Sequence, residues 1–511
     1  MTPDATVDEL LEYVAAHGIV LAREGHRLRY DAPRDAFGPD VLAALTRHKR
    51  ELLARLELED RGRDTVVATA PVSVQQLGLL GRSRQDPVPQ VWNIPLRISL
   101  TGPVDPAALH TALDGLVARH HALRCRFAQV EGERWRQEVL APRSVPLPVR
   151  DLTGLDAVRR AERVEEECAA AVDTAFDLTS GTWPAWSLLR TGDDAWVLMF
   201  VVHHICVDGW AVTVLLRDLA ELYRAAVCGR PPELPERVAQ CTDYAREQAA
   251  KAAGPGGNGR ELVYWTGRFA DLPADLDLPL DHPRPPRASG RGRTARLTLE
   301  RGSADALRAL CRERGVTPFA VTTAAFAVLL SSLTGRDDLP VVTNYANRPR
   351  GNMEHLVTTT ATGVVLRLRL DRAARFADLV DQVVSRTVEG IDHLLPLSAL
   401  RRGLLEEYGL RLPGAFPIGM TFQNSLDLTL DLPGIRAEVM DQPTEGARRD
   451  CSFGVVPQSD TYELYVEYAT DLWDPSTADG WLGGYAAVLD AVCHRFEAPL
   501  DSLPGMGAGV R

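Results

Sequence analysis

From Trp196 to Val202 the chain runs Trp-Val-Leu-Met-Phe-Val-Val without a polar break. A strand with one wet face alternates, so this run predicts a strand buried on both faces. Beyond it Val212, Leu215, Leu216, Leu219, Leu222 and Tyr223 recur at helical spacing and form one apolar stripe. Gly229, followed by Pro231 and Pro232, supplies the stop. Between strand and helix lies His203-His204-Ile205-Cys206-Val207-Asp208-Gly209-Trp210. Side chains at such a junction are held rigidly and still reach a cleft.

Residues 1–58 read as a small unit of their own. Thr6 and Glu9 make a capping box, and Leu10, Leu11, Val14 and Ala15 give the first helix an apolar face ended by Gly18. Residues 19–22 and 27–30 read as strands around the turn Glu24-Gly25-His26. A second helix starts near Pro39, with Leu42, Leu45, Leu52, Leu53 and Leu56 on one side. The hairpin leaves a sheet edge open, which suits either a stabilising cap or a docking module that accepts a partner's strand.

Residues 59–70 read as a linker. Beyond it, 92–100 alternates like a strand, and Asp105-Pro106 opens a helix carrying Leu109, Leu113, Leu116 and Val117. His121, just past that helix, reads as a helix-end histidine near the dipole. Residues 252–259 and 279–292 are irregular crossings rich in Gly, Pro or Arg. Thr317-Pro318 then start another long helix, and 341–345 and 364–368 read as strands. The pattern is an α/β alternation given twice, predicting two similar lobes, 71–250 and 251–505, around one cleft.

Charge and composition narrow the function. A net charge of −12 disfavours nucleic acid and anionic membrane as partners. No apolar run has the length of a membrane span, and the first residues lack the regions of a signal peptide, so a cytoplasmic chain is expected. The eight cysteines contain no Cys-x-x-Cys pair, which suggests neither a zinc ribbon nor a disulfide framework. Cys206 sits in an Ile-Cys-Val run with no charge to activate it and reads as packing.

Successive strand side chains point to opposite faces, so His203 and His204 cannot share one metal, and no metal site is expected. No Gly-x-Ser-x-Gly elbow or phosphate loop occurs. What remains is one histidine facing a cleft, one facing the core, and a carboxylate, Asp208, that needs a cation or several donors to stay charged. Gly209 allows close backbone approach, and its N–H can polarise a carbonyl.

This His-His-x-x-x-Asp-Gly run resembles the core motif of nonribosomal peptide synthetase condensation domains. Trp92-Asn93-Ile94-Pro95-Leu96, Arg119-His120-His121-Ala122-Leu123-Arg124, Gln240-Cys241-Thr242-Asp243-Tyr244-Ala245, Ala346-Asn347-Arg348-Pro349-Arg350 and Phe422-Gln423-Asn424 extend the likeness over about 71–503. Ser73-Val74-Gln75-Gln76-Leu77 keeps the Ser, Gln and Leu of the first family motif but lacks its usual Arg and Trp. His121 stands where Glu is common, and around Thr360-Ala361-Thr362-Gly363-Val364 the usual Gly-Phe-Phe-Val-Asn-Thr is missing. Residues 1–58, with His-Gly-Ile-Val-Leu and then Gly-His-Arg-Leu-Arg-Tyr-Asp-Ala-Pro, resemble the N-terminal docking domains of the same synthetases.

The resemblance implies an α/β fold of two chloramphenicol acetyltransferase-like lobes in a V, with a small α/β docking domain ahead of it. It implies a condensation enzyme that joins a donor acyl or peptidyl thioester to the amine of an acceptor aminoacyl thioester. Both would arrive in trans on the phosphopantetheine of carrier proteins, with no cofactor bound covalently to this chain. His204 would take or orient the proton of the attacking amine, and the N–H of Gly209 would lie near the developing oxyanion. His203 and Asp208 would be structural, Asp208 paired with Arg348 across the lobes, and Trp210 and Asn424 would line the tunnel. Residues 1–58 would capture the C-terminal tail of an upstream synthetase. A hydroxyl acceptor, giving an ester, and a non-catalytic recruitment role are the alternatives.

Overall fold

A computed structural model describes residues 6–17, 19–24, 27–31, 38–53, 65–130, 134–236, 238–254, 258–272, 278–348, 352–412, 418–424, 427–442, 444 and 446–506. The chain forms two compact units, Met1–Ala68 with Glu138–Arg143, and Thr69–Gln137 with Ser144–Arg511.

The first unit holds the helix Val7–Ala16, an antiparallel hairpin of Val20–Glu24 and Arg27–Asp31 in which Leu21 faces Tyr30, and the helix Pro39–Arg47. Val7, Leu10, Val14, Ile19, Val41, Ala44, Leu45 and Leu52 make its core. Leu42, expected on the buried side, is instead 45% exposed. The buried stripe runs through Val41, Ala44, Leu45 and Leu52 at helical spacing, and Leu42 lies one residue off it. The Glu9 side chain, Gly18, the turn residues 25–26 and Leu56 lie outside the described residues.

The expected linker is corrected as well: Val66–Pro71 is a strand, in keeping with its Val-Val-Ala-Thr-Ala run. Residues 59–64 lie outside the described residues.

The second unit contains two large sheets. The first orders Arg436–Asp441, Asn93–Thr101, Ala195–His203, Ala185–Arg190 and Val149–Asp151. Ala195–His203 is central and buried from Val197 onward, as its unbroken apolar run requires. It runs antiparallel to Asn93–Thr101, with His203 opposite Asn93. The outermost strand, Arg436–Asp441, comes from the far half of the sequence and pairs antiparallel with Asn93–Thr101, Arg436 opposite Thr101. A division at residue 250 therefore does not separate the two sheets.

The second sheet has six strands, ordered Gly292–Thr298, Tyr462–Ala469, Cys451–Pro457, Ile418–Phe422, Asp338–Tyr345 and Thr362–Arg369. The helix Pro318–Thr334, capped by the Thr317 hydroxyl, is buried almost throughout and packs in this half's core with Phe453, Trp481 and Tyr485. No single helix among the described residues is long and apolar enough to cross a membrane.

Candidate active site

The buried strand ends at His203, and a helix spanning Gly209–Cys228 starts six residues later. Asp208 caps that helix, its Oδ1 accepting the Ala211 N–H at 3.0 Å. Gly229, at φ 61°, ends the helix in the left-handed conformation that glycine adopts without strain. A buried contact fixes the helix from the side: Asp218 accepts from His120 Nε2 at 3.0 Å and Arg119 Nε at 2.9 Å. His121 sits in the turn His121–Arg124, and burial pushes its ring down to about 4.

The two histidines diverge as strand geometry demands. His203 is 3% exposed. Its Nδ1 accepts the Ile205 N–H at 3.1 Å, so the ring proton sits on Nε2, 3.4 Å from Ser83 Oγ. The edge of Phe176 closes the pocket, centroid to centroid 6.0 Å. Burial, with His204 and Arg448 nearby, pushes this ring down to about 3.

His204 is half-buried and lines a cavity of about 340 Å³ between the two sheets. Its Nδ1 lies 2.8 Å from the Val207 carbonyl, which can only accept, so Nδ1 carries the proton and Nε2 keeps its lone pair. Burial first, then the charge of Arg448, pushes the ring down to about 4, and it is neutral at pH 7.

Asp208 is 3% exposed and fully engaged. Oδ1 also accepts from Arg348 Nη2 at 2.5 Å. Oδ2 accepts the Thr360 N–H at 2.8 Å, the Thr360 hydroxyl at 3.1 Å and the Ala361 N–H at 3.1 Å. Arg348 in turn donates from Nη1 to the Leu356 carbonyl at 2.7 Å and from Nη2 to that of Thr358 at 3.1 Å. The carboxylate that caps the first sheet's helix is thus held by residues of the second half.

Gly209, Trp210 and Asn424 line the same cavity. The Trp210 indole N–H donates to the Glu354 carbonyl at 2.9 Å. Thr213, one turn on, accepts the Asp427 N–H at 2.8 Å, tying the helix to the segment just after Asn424. Cys206 is buried and pushed up to about 12 by desolvation, which makes it unreactive at neutral pH.

Two features escaped the sequence. Gln75 Nε2 reaches Tyr244 Oη at 3.1 Å, the Thr360 carbonyl at 3.2 Å and Thr362 Oγ1 at 2.9 Å, so the altered first motif meets the altered Thr360–Thr362 stretch directly. Trp92, read as a strand start and part of a family segment, lies 6.3 Å from the His204 ring, and its backbone carbonyl accepts the His204 N–H at 2.7 Å. Neither pairing has a local signal, because each partner lies far off in sequence. Among the described residues no His, Cys, Asp and Glu group is arranged to hold a metal ion.

Comparison with known proteins bears on this site. The condensation-domain profile matches residues 66–506, and the TubC N-terminal docking-domain profile matches residues 7–57. A probable non-canonical nonribosomal peptide synthetase, CymA, of Salinispora arenicola is 33% identical over 452 residues, covering 86% of this chain and 6% of CymA. The chain thus spans only a small part of such relatives. The solved X-domain from teicoplanin biosynthesis superposes with a TM-score of 0.73 at 24% identity, covering 86% of this chain and 98% of the X-domain. The SgcC5 protein of Streptomyces globisporus, solved with a naphthyl ethanediol, gives a TM-score of 0.72 at 26% identity, over 84% of this chain and all of that one.

Proposed function

Since the chain belongs to the condensation-domain family, with a TubC-type docking domain ahead of it, we propose that it is an acyltransferase joining two carrier-bound substrates by an amide bond. The donor is an acyl or peptidyl thioester, and the acceptor is the amine of an aminoacyl thioester. Both thioesters arrive on phosphopantetheine arms of separate carrier proteins.

The observation that carries this reading is the bare Nε2 of His204 on the cavity wall, with the proton held on the other nitrogen by Val207. The amine nitrogen attacks the thioester carbonyl, forming the C–N bond and a tetrahedral oxyanion. Nε2 accepts the amine's proton as the bond forms, and the proton passes to the sulfur as the C–S bond breaks. A ring that binds a proton only near pH 4 is a poor base toward free ammonium. It suits an amine that enters already neutral, so orienting the N–H and accepting its proton fall in one step. Gly209, first residue of a helix facing the cavity, offers its N–H and the positive end of the helix dipole to the oxyanion. Asp208 and Arg348 act as a brace, His203 as the core-side support, and Trp210 and Asn424 as tunnel wall.

Residues 7–57 would bind the C-terminal tail of an upstream synthetase, delivering the donor carrier in the cytoplasm. A hydroxyl acceptor is the second reading, favoured by the diol bound to the Streptomyces globisporus protein. The same histidine serves an alcohol, whose proton is removed in the same way. The test is product formation from two loaded carriers by the full chain and by His204→Ala. Loss of product with an unchanged melting curve is expected, and retention of most turnover would promote a recruitment role instead.

A further inference from the structure

Pro89–Trp92 is a short helical turn that ends where the strand Asn93–Thr101 begins. A helix end leaves carbonyls without partners, and here each of the last ones finds a partner. The Gln90 carbonyl accepts the Asn93 N–H. The Val91 carbonyl accepts from Arg448 Nε at 3.0 Å, and the Trp92 carbonyl accepts the His204 N–H at 2.7 Å. Neighbouring carbonyls of one buried turn therefore join Arg448 to His204. The rings repeat the link. The Arg448 guanidinium carbon lies 5.6 Å from the Trp92 ring centroid, which is itself 6.3 Å from that of His204.

Glycines permit this close approach. A Cβ on Gly446 would meet Val91 Cγ2 at 2.7 Å, and one on Gly290, at φ 75°, would meet Pro87 Cγ at 2.8 Å. The Ala447 N–H donates to the Gly290 carbonyl at 3.0 Å, so residues 290–292 and 446–448 close together on the turn. Arg448 is fixed along its backbone as well, its N–H donating to Glu467 Oε1 at 3.0 Å.

We propose that Arg448 is a positioning residue for the reaction: it holds Val91 and Trp92 in place and, through the Trp92 carbonyl and ring, sets where His204 meets the substrate. The proposal rests on the condensation reading above. Arg448 is not an isolated charge. The carboxylates of Glu467 and Asp441 face it, and burial raises the second. Asp86, which accepts the Trp92 indole N–H at 3.2 Å, and Arg82, 5.8 Å from the same ring, add to the charges about the indole. At His204 burial is the largest influence; Arg448 then lowers the ring's proton affinity and Asp208 raises it, while His203 beside it is neutral.

The test uses the full chain, two loaded carriers and Arg448→Met, which keeps the side chain's length without its charge or donors. A misplaced base slows the chemical step more than it weakens binding. kcat is expected to fall about 10–10²-fold, with KM for either carrier within about twofold of the wild type. The acid limb of the rate, followed down to the onset of acid unfolding, should appear at higher pH. In histidine-labelled protein the His204 resonance, identified by its loss in His204→Ala, should titrate higher too. Arg448→Lys keeps a cation at the indole, and should hold the limb in place while recovering part of kcat. An unchanged kcat in Arg448→Met overturns the proposal, as does a rise in KM alone or an unmoved limb. If that variant folds poorly, Arg448→Lys decides, and a wild-type kcat there overturns the proposal. Absence of product from the wild type counts against the condensation reading, whereas the histidine titration, read without turnover, decides the link from Arg448 to His204 by itself.

Discussion

His204 is locked by its own turn: Nδ1 donates to the carbonyl of Val207, three residues on, at 2.8 Å. The bond sets the tautomer, and the cavity receives a nitrogen that can accept a proton but not give one. His204→Ala should therefore lower product formation from two loaded carriers by about 10²–10⁴-fold. The melting temperature should stay within a few degrees, because the half-buried ring stands at a cavity wall rather than in the core. Paired rate assays and thermal melts check this.

The two rings also predict a pH dependence of stability. His203 and His204 are pushed down to about 3 and about 4, below the ordinary histidine value of 6.5. As pH falls below that value the unfolded chain takes up protons that the folded chain refuses, so stability drops, and it continues to drop until the folded pKa is reached. Each such group contributes a slope of up to about 1.4 kcal/mol per pH unit in that window. Chemical denaturation of wild type and His203→Gln between pH 6.5 and 4 should show a shallower fall in the variant.

Asp208 and Arg348 should behave as a coupled pair. Both side chains are nearly dry, and removing one charge strands the other. Asp208→Asn should destabilise the protein by about 3–5 kcal/mol. Asp208→Asn combined with Arg348→Met should recover part of that loss. A double-mutant cycle by denaturation measures the coupling, and strict additivity would contradict it.

Deleting residues 1–58 should weaken association with the upstream carrier protein and slow turnover with free carriers. A donor carrier fused to the shortened chain should restore the rate, since fusion replaces docking by high effective concentration. Pull-down and turnover assays on both forms check it.

Much of the site was legible because it is local. An apolar strand, two histidines, a turn and a capped helix occupy one short run, and each step has a sequence signal. Arg348 was legible only through resemblance, since nothing near it announces Asp208 as its partner. The cradle of Thr360 and Ala361 gave no signal, because two of its three donors are backbone groups that any sequence supplies. Leu42 misled for a different reason. It lies three residues before Leu45, a helical spacing, but the stripe that is buried passes through Val41, Ala44 and Leu45. Leucine spacing alone does not say on which side of Leu45 the buried face continues. Arg436–Val439 alternates polar and apolar residues like any edge strand, and which edge it joins is decided only by tertiary packing.

That last strand makes the order of synthesis matter. The ribosome delivers Asn93–Thr101, already beside the histidine strand, hundreds of residues before the segment that covers its outer edge. At ordinary translation rates the nascent sheet waits roughly tens of seconds with an open, apolar-backed rim. Such a rim recruits whatever strand comes near, its own neighbours on a polysome included. Slow stretches of translation before residue 436, or chaperone shortage, should therefore cost yield of this protein more than its final stability would suggest.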